Sequence, residues 1–187
     1  YADAAVAILN DWAKTCTGFI VNDKGEFIDP NEFLIFIQVH QIANAAEIMR
    51  SYSGWQEADF VKFKAWIADV FYPHITKFLS THNGNECALH YWLNWDLSAM
   101  TALLSIGILA DDNFKINEAI QYFKFGIGSG NIGNGVPFIH LDPDSNEMLG
   151  QCQESGRDQG HAMMSVAVTA NLCQMAYTFY QCNPTTP

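Results

Sequence analysis

Residues 151–177, QCQESGRDQGHAMMSVAVTANLCQMAY, place an arginine and a histidine four positions apart, where a glycine-containing stretch gives way to an apolar run. Ser155 followed three residues later by Asp158 approximates a capping box, so the spacing predicts a helix starting at Gly156 or Arg157. On that helix Arg157 and His161 share one face, one turn apart, near the positive end of the helix dipole. The pair suits an anion and a proton transfer: the guanidinium neutralises negative charge, and imidazole exchanges protons near neutral pH. The structural alternatives are an ion pair of Arg157 with Glu154 or Asp158 that fixes the loop, and a His161 satisfied inside a core.

A second constellation lies in the run WLNWDLSAMTALLSIGILA, where Asn94, Ser98, Thr101 and Ser105 follow at steps of four, three and four. That spacing puts them on one helix face, opposite Met100, Leu103 and Leu104. A polar stripe of this kind lines a cleft or provides small residues for close helix contacts. Asn94, between Trp92 and Trp95, is the cleft candidate, and His90, Tyr91, Trp95 and Glu154 are candidates for touching a substrate. In IFIQVHQIANAAEIMR, Gln38, Gln41 and Ala45 share a face; two glutamines one turn apart bind sugar hydroxyls or a carboxylate, or lie exposed as plain amides. His40 in the same run is taken as structural.

Other chemistries find little support. The run GIGSGNIGNG contains a formal GxGxxG at Gly128, Gly130 and Gly133, but it follows a helical pattern and precedes VPFIHLDPD, without the strand–turn–helix context a dinucleotide needs. The six histidines show no HExxH, so no metal is expected. Cys16, Cys87, Cys152, Cys173 and Cys182 are odd in number, lack CxxC spacing and leave the redox compartment open. A net charge of −11, from 20 acidic and 9 basic residues, argues against nucleic acid as a partner. It also repels any polyanion at long range, so an anionic substrate requires a local cationic site.

These residues must be positioned by helices. Helical apolar spacing is found at about 3–16, 31–52, 56–80, 92–110, 112–125 and 156–180, with no sustained strand alternation. Breaks fall at residues 23–30, at SYSG, at STHNGNE and in the long loop 126–150. No uninterrupted apolar stretch of membrane-spanning length is seen, so membrane insertion is not expected. Helices joined by short loops, several apolar on more than one side, suggest an all-α toroid of antiparallel helical hairpins, with a plain helical bundle as the alternative. One domain over 1–187 is expected, cut at both ends and therefore an incomplete toroid. The oligomeric state is left open.

The ordering AVAILNDWA, QIANAAEIMR, GWQEADFVKFKAWIADVFYP, HYWLNW with SIGILADD, and LGQCQESGRDQGHAM resembles the alginate lyase family. The last two segments are the specific ones. The resemblance implies an (α/α) toroid and β-elimination in a uronic-acid polymer, with no metal or organic cofactor required. It also implies an acidic polysaccharide as partner and an extracellular or periplasmic location. By motif it makes Asn94 and Arg157, with Gln41, neutralisers of the substrate carboxylate, and His161 the general base or a partner of it. The family also uses a tyrosine acid; Tyr91, Tyr177 and Tyr180 are available, none in a recognised tyrosine motif. The contrasting readings are an inverting hydrolase using Asp96, Glu154 or Asp158, and a non-catalytic glycan-binding domain.

Overall fold

The computed structural model describes residues 1–18, 36–84 and 87–183. Its helices are α1 (Ala2–Thr15), α2 (Phe36–Met49), α3 (Glu57–Thr81), α4 (Leu93–Ala110), α5 (Asn113–Phe125), the short α6 (Ile132–Gly135) and α7 (Gln159–Cys182). The all-α expectation holds for the body of the chain. The expected break at 23–30 and the start of the expected helix 31–52 lie outside the described residues.

Two expectations are corrected. The long loop contains an antiparallel hairpin of β1 (Phe138–Leu141) and β2 (Met148–Gln151), in which Phe138 faces Gln151 and Leu141 faces Met148. Four-residue strands exposed throughout have no buried face to impose alternation, so periodicity could not reveal them. The last helix begins at Gln159, not at Gly156 or Arg157. Its cap is Asp158, whose carboxylate accepts from the His161 N–H, and Ser155 belongs to a preceding 3-10 turn, Gln153–Gly156.

Helix α4 is the hub. It is apolar almost all round, and all of it except Trp95, Ile108 and Ala110 is buried, as such a helix requires. It packs against α2, α3, α5 and α7. By length and hydropathy α4 also matches a membrane span, which the sequence reading passed over, but 83% of that window is buried inside the protein.

The neighbours of α4 along the chain are antiparallel to it. Phe78 of α3 lies beside Trp95 at one end, and Lys64 pairs with Asp111 at the other. On α5, Ile116 approaches Gly107 while Tyr122 reaches Asp96. The hydroxyls of the polar stripe return to their own helix, Ser98 to the Asn94 carbonyl (2.7 Å), Thr101 to Leu97 (2.7 Å) and Ser105 to Ala102 (2.9 Å). The stripe is therefore packing, not a cleft wall.

The far end of α4 is closed by Arg50, which donates to the Ile108 and Leu109 carbonyls and to Asp111. Although burial pushes the Asp111 carboxyl upward, Arg50 and Lys64 hold it below its ordinary range. Trp55, Phe60, Phe63, Trp66 and Phe71 pack against one another along α3 as core, edge to face except for the tilted Phe63–Trp66 pair. The indole N–H groups of Trp55 and Trp66 donate to Asn10 and to the Cys16 carbonyl.

Candidate active site

The first turn of α4 has no side-chain cap of its own, because Trp92 stands at the N-cap position. Its enclosed first-turn N–H groups are satisfied from 60 residues away by the 3-10 turn before α7. Gln153 Oε1 accepts from Leu93 N (2.7 Å), and Glu154 Oε1 accepts from Asn94 N (2.7 Å) and from Asn94 Nδ2 (2.5 Å). A carboxylate at the positive end of a helix is favourably placed. Gln153 is held in turn by donating to Ser129, whose hydroxyl donates to the Tyr91 carbonyl.

The two residues picked out first follow this turn, Arg157 directly after it and His161 in the first turn of α7. Arg157 lies 3.7 Å from Glu154 Oε2 and 3.8 Å from Asp158 Oδ2, and its guanidinium sits 5.1 Å over the ring of Trp92. His161 Nδ1 is 2.6 Å from Asp158 Oδ2. Asn94, Arg157 and His161 are thus linked through Glu154 and Asp158, although Arg157 and His161 do not share a helix face. Their access differs. Asn94 is 1% exposed and Glu154 fully buried, whereas the side chains of Arg157 and His161 are 29% and 37% exposed. Glu154 is therefore no surface contact for a substrate in this structure, and its Oε2 has no hydrogen-bond partner among the described residues.

The alginate lyase family model matches residues 1–138. The chain belongs to the alginate lyase family. At family level that makes it a polysaccharide lyase, and it implies an acidic polysaccharide as substrate. No curated protein and no solved structure matched the chain. The match takes in α4 and Asn94, while the segment bearing Glu154, Arg157 and His161 follows it.

In this alginate lyase family member the remaining candidates scatter. His90 is exposed and stacks edge-on against Tyr91. Tyr91 and Trp95 are half-buried and packed on each other and on Phe78, and the Tyr91 hydroxyl accepts from Asn83. Gln38 and Gln41 occupy the exposed face of α2, and no hydrogen bond joins them to the turn at 153–156. His40 is buried, burial lowers its pKa, and its Nδ1 has no hydrogen-bond partner among the described residues. The five cysteines are free.

One buried cluster escaped sequence reasoning. His82 closes α3 in left-handed conformation and points its ring inward. Its Nε2 lies 3.0 Å from Asp96 Oδ1, while Asp96 Oδ2 accepts from Tyr122 (3.2 Å) and Gly130 N (3.0 Å). Burial, and then the Asp96 charge, push the Tyr122 hydroxyl strongly upward. The GxG glycines find their purpose here: a Cβ on Gly128 or Gly130 would run into Asp96. The only advance signal was an aspartate inside an apolar helix, which demands partners.

The cavities separate the two ends of α4. One of about 370 Å³, between α4, the 130–136 loop and α7, is lined mainly by apolar side chains such as Leu93, Leu97, Val136 and Val166, with the hydroxyls of Ser165 and Thr169, and has no cationic side chain to replace the water around a uronate carboxylate. Another of about 430 Å³ lies at the C-terminal end beside Glu47 and Asp111, which occupy its one arginine. Beside the N-terminus of α4, Arg157 is the guanidinium with solvent access among the described residues.

Proposed function

We propose that the protein cleaves a uronic-acid polymer of alginate or glucuronan type by β-elimination. Removing the C5 proton next to a carboxylate builds a second negative charge, which is prohibitive unless donors aimed at it stabilise it. Arg157 neutralises the C6 carboxylate, and His161 takes the C5 proton; the electron pair left on C5 forms the C4=C5 bond as the C4–O4 bond breaks, and the departing O4 takes a proton from water. Asn94, enclosed against Glu154, acts through that contact by anchoring the turn that carries Arg157. The toroid and the extracellular or periplasmic setting belong to the same reading.

The supporting observation is the convergence on residues 153–161 of the one accessible guanidinium at this end of α4 and a partly exposed imidazole. The hydrolase alternative is disfavoured because, of Asp96, Glu154 and Asp158, the first two are fully buried and hydrogen-bonded, leaving Asp158 as the one solvent-facing carboxylate of the three and no pair. The test is absorbance in the ultraviolet from the new C4=C5 double bond on polymannuronate, polyguluronate and glucuronan. His161→Ala is expected to lower the rate by roughly 10²–10⁴-fold with the helical circular dichroism unchanged. No absorbance rise on any polyuronate with wild-type protein would sink the reading.

A further inference from the structure

We infer that Asp158 is a positioning residue that fixes His161 in the tautomer with its proton on Nδ1, leaving Nε2 as the atom that accepts the substrate proton. The inference rests on His161 being the base. The geometry is bidentate: Asp158 Oδ1 accepts from the His161 backbone N–H at 2.9 Å, and Oδ2 stands 2.6 Å from Nδ1. One carboxylate thus caps α7 and holds the imidazole three residues on. A carboxylate only accepts, so Nδ1 must carry the proton and neutral His161 must present a bare Nε2.

Two further observations agree. The Asp158 carboxyl lies below its ordinary range, because the backbone N–H of His161, and then its ring, donate to it. It is therefore an anion at the pH where a histidine base works. Among the described residues no hydrogen bond reaches Nε2, and the side chain is 37% exposed. The Oδ2 that orients the ring also lies 3.8 Å from Arg157 Nε, so one carboxylate sets the spacing between neutraliser and base. The charges facing it are Arg157 and, beyond that guanidinium, Glu154. The role matches the acid that orients histidine in a hydrolase triad, here built from an N-cap.

Capping and orientation can be separated. Asp158→Ser keeps a side-chain oxygen for the His161 N–H, since serine caps about as well as aspartate, but is too short to reach the imidazole. Nitrogen-15 NMR of histidine-labelled protein should show the Nδ1–H tautomer for His161 in wild type and a shift toward Nε2–H in Asp158→Ser. On the polyuronate giving the largest signal, kcat should fall by about 10²-fold or more with KM changed less than about threefold. If Asp158→Ser does not fold, Asp158→Asn retains the cap, and its amide can donate to Nδ1 and impose the Nε2–H form. An unchanged His161 tautomer in a folded variant overturns the inference. Absence of lyase activity in wild type would instead remove the polyuronate reading, with the tautomer measurement still deciding the role of Asp158.

Discussion

Glu154 shows how much one side chain can join. A single oxygen accepts both the backbone and side-chain N–H of Asn94, and the other faces Arg157. Glu154→Ala would leave two enclosed donors without an acceptor, at about 1–3 kcal/mol for each group left unpaired. Glu154→Gln keeps a carbonyl in the same place. Urea denaturation is therefore expected to show a loss of roughly 2–4 kcal/mol for the alanine variant and clearly less for glutamine. Equal losses would mean that the charge toward Arg157, not the acceptor toward Asn94, holds the turn. The sequence offered Glu154 as an ion-pair partner of Arg157, which the 3.7 Å contact supports. Its grip on α4 was illegible, because nothing local links residues 60 positions apart. A hint existed in WLNW, a helix start without a capping side chain.

At the scale of elements, the helices were legible because each buries a stripe at helical spacing, and α4 because it buries nearly everything. What escaped was set by contacts between elements. Gly107 is an example, since in an isolated helix replacing it with alanine would stabilise by about 1 kcal/mol. Here a Cβ would stand 2.9 Å from both the backbone nitrogen and Cγ1 of Ile116, where α5 crosses. Backbone cannot move aside as a side-chain end can, and overpacking costs about 1–3 kcal/mol. Gly107→Ala should therefore lower the melting temperature, and a rise would show that α4 and α5 have room between them. The start of α7 was misplaced by a few residues for a related reason: Ser155 and Asp158 both suit an N-cap, and the 3-10 turn that reaches α4 leaves the cap to Asp158.

For the whole molecule, charge is the dominant consideration. A chain of net charge −11 approaches a polyanion against repulsion that extends roughly 30 Å at 0.01 M salt and about 8 Å at 0.15 M. The contact at Arg157 is short-ranged and less screened. Raising the salt between those limits is therefore expected to lower KM on a polyuronate several-fold with little change in kcat. Rising KM would mean that the local cationic attraction outweighs the global field. Composition made this conflict visible, and the position of Arg157 beside the α4 N-terminus is what answers it locally.

The sequence by itself determined the helical class, the apolar character of α4, the acidic net charge, the family, and the proximity of an arginine and a histidine near the start of α7. Each follows from short-range spacing or composition, which act within a turn or two of chain. Only the tertiary structure decided that Asn94 is enclosed, that the serine and threonine stripe is packing, and that His82, Asp96 and Tyr122 meet. It also decided that Arg157 and His161 are joined through Asp158 and not by a shared helix face. Those outcomes depend on which buried donors find acceptors across the core, a requirement that burial imposes and that residue order does not display. Arg157 and His161 were found from the sequence; what holds them in place was not.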